Sequence, residues 1–113
     1  MLQQGSILWV SVSDQSGRNT KCRPAVLVTP TDQIENAKRL VVVAATGTFS
    51  KPLPPNRVPL PWQSNPPHPK TGLYKECVAV CDWVHAIEKA DIVSIGGVCP
   101  QSVLDAILAN LQI

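Results

Sequence analysis

The chain has 113 residues, four cysteines and a net charge of only +2, with charged residues making up 16% of it. A chain of this length is one domain (1–113) that can bury a core without disulfides or metal, and so weak a charge excludes a histone-like, uniformly basic nucleic-acid binder. It has no basic segment leading into an apolar one at its start, and no run near the roughly 20 apolar residues that cross a bilayer, so a cytoplasmic protein with no membrane contact is expected.

Gly5 is followed by Ser6-Ile7-Leu8-Trp9-Val10-Ser11-Val12, whose β-branched and aromatic content predicts the first strand. Asp14 to Thr20 is rich in turn formers and reads as a polar loop. It leads into Lys21-Cys22-Arg23, a basic opening to the apolar strand predicted over Pro24 to Thr29. Pro24 fixes its own φ and pushes Arg23 towards an extended conformation, so the guanidinium leaves the strand mouth at a set angle. Arg18, Lys21 and Arg23 could together hold a few phosphates, or could be the charges of a solvated loop.

Thr31 to Lys38 is mostly polar and reads as a loop, with a short helical turn as the alternative. Arg39 to Ala45 is the most apolar run and predicts a central strand, and Thr46-Gly47-Thr48 would present two hydroxyls where it leaves the sheet. Residues 51–70 hold eight of the eleven prolines. Around Arg57 to Trp62 the prolines alternate with other residues, so this segment can only be an edge strand in an extended, mobile loop, or a proline-rich ligand segment. Leu60 and Trp62 look needed for a core or a partner face.

Cys77 to Ile87 predicts one long strand or two with a bend, and Ile92 to Val98 a strand broken by Gly96-Gly97. Pro100 suits a first helical position, and Val103, Leu104, Ile107, Leu108 and Leu111 form one apolar stripe at helical spacing. The cysteines lack CxxC spacing. Cys77 and Cys81 would face one side of a strand about two pleat repeats apart, which suits shared zinc ligation poorly, and no metal or cofactor is expected. Loop-placed Leu60, Trp62 and Trp83 would leave apolar surface for a second copy of the chain, so a homodimer is expected.

Three blocks, Gly5 to Val10, Arg23 to Val28 and Val41 to Gly47, resemble in order the MazF/PemK/Kid family of toxins from type II toxin-antitoxin modules. Thr71-Gly72-Leu73, Val78 to Asp82 and Glu88-Lys89 follow that family's second block, and Val103 to Leu111 its closing helix. The resemblance implies a mainly β fold, a small SH3-like barrel with a C-terminal α-helix. It also implies a homodimer, an acidic and partly disordered antitoxin, and sequence-specific cleavage of single-stranded RNA by 2′-hydroxyl attack without a metal. Arg23 matches the family's catalytic arginine and Thr46 the threonine ending its third strand. An arginine fork suits a pentacoordinate phosphorane, since it holds two phosphoryl oxygens and keeps its charge at neutral pH.

Arg18, Lys21, Thr48, Trp83 and His85 are the expected RNA contacts. The chain departs from the family at Ser6, where many members carry an acid. Trp83 and His85 stand where members have glutamine and, two places on, a basic residue. Trp83 could stack on a base in glutamine's place, and His85 could replace the missing cation or be structural. Two rival functions share the barrel: a CcdB-like toxin that binds DNA gyrase, and a degenerate member that binds antitoxin without cutting RNA.

Overall fold

The computed structural model describes residues 2–13, 17, 18 and 20–111 of the protein, so Asp14, Gln15, Ser16 and Asn19 of the expected loop lie outside it. Six strands make one antiparallel sheet: β1 (Ser6–Val12), β2 (Lys21–Leu27), β3 (Leu40–Thr46), β4 (Arg57–Pro59), β5 (Val78–Ile87) and β6 (Ile92–Val98). Their order across the sheet is β4-β5-β3-β2-β1-β6. A short helix α1 (Thr31–Ile34) follows β2, and α2 (Gln101–Ala109) closes the fold.

The alternation of side chains gives the sheet two apolar faces. One carries Ile7, Val26, Val43, Ala79 and Cys81 and packs against Leu104 and Ile107 of α2 and Leu60 and Leu73 from the proline-rich region. The other carries Leu8, Val10, Ala25, Leu27, Leu40, Val42 and Ile87 beneath Ile34 of α1. Thr31 to Lys38 is therefore not all loop. The Gln33 amide donates to the Pro30 carbonyl (2.9 Å), and burial of Ile34 stabilises the single turn.

The expected barrel is present as an open sheet, since β4 and β6 end it as separate edges. The rim of β6 is instead covered by a loop: the Gly97 amide donates to the Thr71 carbonyl (3.0 Å) and the Val98 amide to the Lys70 carbonyl (2.7 Å). Thr71 is fully buried, and its hydroxyl donates to the Pro61 carbonyl (2.8 Å) and accepts from the Leu73 amide (3.1 Å). The proline-rich segment is thus tied to the sheet at Thr71, and Arg57–Pro59 forms the edge strand that its prolines allow.

Other boundaries moved for reasons of pairing. β2 starts at Lys21 because Lys21, Cys22 and Arg23 pair with Val12, Ser11 and Val10. β6 runs unbroken through Gly96-Gly97, where the absence of side chains lets the 70–71 loop approach. A Cβ added at Gly97 would overlap the Lys70 carbonyl. Gly97→Ala is therefore expected to cost about 3 kcal/mol or more, near the upper end of overpacking penalties, because backbone rather than a mobile side chain must move. At Gly47 a Cβ would lie 3.5 Å from the nearest carbonyl oxygen, that of Glu76, so Gly47→Ala is expected to be close to neutral. Urea unfolding of the two variants beside the wild type measures the contrast.

Candidate functional site

The site begins where β2 and β3 part. Their pairing runs through Leu27·Val42, Val26·Val43 and Ala25·Ala44 and stops there. The Val28 amide donates to the Val41 carbonyl, and the Leu27 carbonyl accepts from the Gly5 amide, so even-numbered residues of β2 direct their backbone groups at β3 and odd-numbered ones at β1. By this alternation Pro24 is the next residue due to donate to β3, and it has no N–H to give. Beyond that point β2 continues with β1 alone, while β3 continues with β5 through Ala45·Ala79 and Thr46·Val78.

The fork encloses a cavity of about 320 Å³ lined by Lys21, Cys22, Arg23 and Pro24 on one side and Ala45, Thr46, Gly47 and Thr48 on the other. Arg23 and Thr46 thus face one space from different strands, with Lys21 and Thr48 at its margin. The Thr46 hydroxyl accepts from the Thr48 amide (3.1 Å) and donates to the Thr48 carbonyl (3.3 Å). The first bond holds the oxygen in place. The second, longer one leaves its proton free to turn towards a ligand.

Arg23 is half-buried rather than solvent-facing, and its guanidinium carbon lies 5.1 Å from the centroid of the Trp83 ring. A bulge places that ring. Between Val43·Val84 and Ala45·Ala79, β3 advances two residues while β5 advances five, and Trp83 lies in the excess. Trp83 is 7% exposed and packs with Ala44 and Val80. It is therefore a floor under the guanidinium rather than an open platform for a base, and a cation over such a ring contributes about 0.5–2 kcal/mol.

His85 lies beyond Trp83, ring centroids 6.2 Å apart, and opposite Val42 of β3. Burial lowers its pKa below the usual imidazole value, which disfavours the charged ring that would replace the missing cation. Among the described residues, Trp83 Nε1 and His85 Nε2 are buried without a hydrogen-bond partner. Buried ring nitrogens are normally paired, and here the first of the two, that of Trp83, belongs to the ring beneath Arg23, with His85 one ring further away.

Arg18 is exposed in the loop before β2 and does not line the fork. Ser6 is buried at the far end of β1, where its hydroxyl accepts from the Gln3 amide (2.9 Å). The thiols play no part in the fork apart from exposed Cys22. Burial, with Glu76 nearby, pushes Cys77 up to about 11, and burial, with Cys77 nearby, does the same to Cys99. Burial, then Asp82, raises Cys81 as well.

Two neighbouring cavities bring in residues that sequence reasoning missed. One, about 200 Å³, shares Pro24 and Gly47 with the fork and is lined by Trp9, Tyr74 and Lys75. The other, about 420 Å³, shares Thr48 and is lined by Phe49 and Arg57. The adjacent Tyr74-Lys75 pair was a faint signal of an aromatic and cationic loop. Arg57 gave none.

Residues 3–113 match the profile of a family described as "PemK-like, MazF-like toxin of type II toxin-antitoxin system". The chain belongs to this family. Solved structures of MazF-type toxins have the same fold. MazF from Deinococcus radiodurans superposes with a TM-score of 0.73 at 18% identity, covering 97% of this chain and 92% of that one. A MazE-MazF complex from the same organism gives 0.70 at 18% identity, with the same coverage. A mycobacterial endoribonuclease solved with its cognate antitoxin gives 0.72 at 15% identity, covering 98% of this chain and 91% of that one. No curated protein matches the chain in sequence. Within this PemK/MazF-like toxin the fork thus holds the two residues, Arg23 and Thr46, that the family resemblance singles out.

The depressed His85 pKa has a consequence for stability. The unfolded chain takes up a proton at this residue before the folded one does, so stability is full above the unfolded value of 6.5 and falls as the pH drops through the lower folded value. His85→Gln is expected to remove that part of the acid loss. Urea unfolding at about pH 5 and about pH 7.5 should show a smaller difference for the variant than for the wild type.

Proposed function

We propose that this toxin is an endoribonuclease that cuts single-stranded RNA through the RNA's own 2′-hydroxyl. The observation that carries the proposal is the fork, in which a fixed guanidinium and a threonine hydroxyl face one another across a space open to a backbone phosphate. In this reaction the 2′-oxygen bonds to the adjacent phosphorus and gives up its proton. The P–O5′ bond breaks, and the 5′-oxygen takes a proton as it leaves. The products are a 2′,3′-cyclic phosphate and a 5′-hydroxyl.

Arg23 stabilises the charge that grows on the non-bridging oxygens, and its position over Trp83 keeps it oriented before the substrate arrives. Thr46 donates to the phosphate or to the 2′-oxygen once its proton turns from the Thr48 carbonyl. Lys21, Thr48 and Arg18 hold flanking phosphates, and Trp83, buried beneath Arg23, supports the guanidinium rather than meeting the RNA. Solved relatives named as endoribonucleases support this reading over a gyrase-binding toxin.

Because the nucleophile belongs to the substrate, the step needs no activated water. Incubated with a long RNA in EDTA, the protein is expected to leave 2′,3′-cyclic phosphate ends, and Arg23→Ala to reduce the rate by roughly 10²–10³-fold. A 5′-phosphate product or an undiminished rate in the variant contradicts the assignment. A wild type that cuts nothing while binding antitoxin would make the chain the degenerate member.

The proposal extends to partners. The antitoxin is an acidic, partly disordered segment that covers Arg18, Lys21 and Arg23 and folds on binding; one structural relative was solved in complex with its cognate antitoxin. The apolar surface for a second copy differs in part from the expected one. Leu60 and Trp83 are buried while Trp62 is exposed as expected, and Val93 and Ile95, 64% and 54% exposed, add apolar surface on edge strand β6. Sedimentation at low micromolar concentration should show a dimer. Reversing the charges at 18, 21 and 23 should abolish antitoxin binding without dissociating it.

A further inference from the structure

The cavity behind the fork supplies what the fork lacks, an aromatic surface. Tyr74 is 46% exposed and lies nearly parallel to Trp9, at 20° with ring centroids 6.2 Å apart. Trp9 is itself part of the sheet, opposite Pro24 in β1, and packs on the larger core, so the pair is anchored from below. The Lys75 ammonium lies 5.8 Å from the Tyr74 centroid on an exposed side chain. Pro24 and Gly47 line both this cavity and the fork, so the two spaces adjoin at a proline and at a residue without a side chain.

From this juxtaposition we infer that the Trp9–Tyr74 cavity is a base-binding subsite, taking one unpaired nucleobase next to the phosphate held at Arg23. The inference rests on the RNA-cleaving reading above and says where part of its sequence preference arises. The charge and the shape both favour this occupant. The cations around the two spaces are Lys21, Arg23 and Lys75, and the one carboxylate among their lining residues, Glu76, is paired with Lys51 at 3.3 Å. A net positive rim beside a stacked aromatic pair is the combination that holds single-stranded nucleic acid, backbone on the cations and base on the ring.

The volume, about 200 Å³, suits a single ring system and not a second strand or a helix. Lys75 is exposed, so its ammonium can move from the Tyr74 ring to the phosphate of the incoming nucleotide, which uncovers the ring for stacking. Any base has a π-face, so stacking supplies affinity. Preference among bases would come from the polar groups at the cavity rim, among them the Glu76 and Lys75 side chains.

The test uses the intact protein and two probes of the same random sequence pool, a long single-stranded RNA and a 12-nucleotide single-stranded DNA. The DNA lacks the 2′-hydroxyl and so binds without being cut. Tyr74→Ala is expected to weaken DNA binding about tenfold, the size of one lost base–aromatic stack, whereas Tyr74→Phe stays within about twofold of wild type. On the RNA, Tyr74→Ala should raise KM, leave kcat nearly unchanged and flatten the base preference at one position beside the cut. Because Tyr74 is half-exposed, its loss opens no core cavity, and matched thermal melting of the variants checks this. If Tyr74→Ala binds DNA and selects cut sites as the wild type does, the subsite is overturned while the RNA-cleaving reading stands. If it instead lowers only antitoxin affinity, the cavity belongs to the antitoxin. If the wild type neither cuts RNA nor binds either probe, the reading of the fork itself is wrong, and the subsite falls with it.

Discussion

The missing N–H of Pro24 is the constraint on which this site depends. Proline in an inner strand ends a ladder on the side where its nitrogen points, and here that side faces β3. Had residue 24 carried an amide, β2 and β3 could have continued pairing past Ala25·Ala44, and Arg23 and Thr46 would have closed over one another as cross-strand neighbours. The lost backbone bond instead leaves a gap in the middle of a sheet whose flanking strands are paired on their other sides. The gap is therefore rigid, which is the property a catalytic pair needs if it is to be positioned without a moving lid.

A second irregularity completes it. The β5 bulge turns Trp83 onto the face occupied by Arg23 and buries the indole against Ala44 and Val80. A half-buried guanidinium over an aromatic face is held in a medium of lower dielectric than water, where its charge acts more strongly on a phosphate. His85, whose pKa burial lowers, lies beyond that ring, 6.2 Å from it. Two local breaks in regular pairing, one from a proline and one from a bulge, thus build the proposed site in an otherwise ordinary antiparallel sheet.

Much of the fold was legible because its strands are β-branched runs punctuated by proline and glycine. β1 fell on Ser6–Val12 as read, and the apolar stripe of α2 buries Leu104 and Ile107. What could not be read depends on the partner of each strand. Lys21 to Arg23 look like loop by composition and become strand through pairing with β1, and the closeness of Gly97 to the Lys70 carbonyl is a contact across 27 positions of sequence. Arg23 and Thr46, singled out through their motifs, line one cavity, but the aromatic ring expected to be open, Trp83, is buried, because a bulge shifts the face of every residue beyond it. The open ring is Tyr74, in a loop whose proximity to Trp9 no local pattern announces.

The central claim, that Arg23 acts from a position fixed by Trp83, is tested most directly by a double-mutant cycle on the single-turnover rate of RNA cleavage. The four proteins are the wild type, Arg23→Ala, Trp83→Leu and the double variant, each shown to be folded at the assay temperature. If the indole works through the guanidinium, Trp83→Leu slows the wild type about tenfold and has no further effect once Arg23 is gone, a coupling near 1.4 kcal/mol. If the two losses multiply independently, Trp83 does not position Arg23 and the account is contradicted.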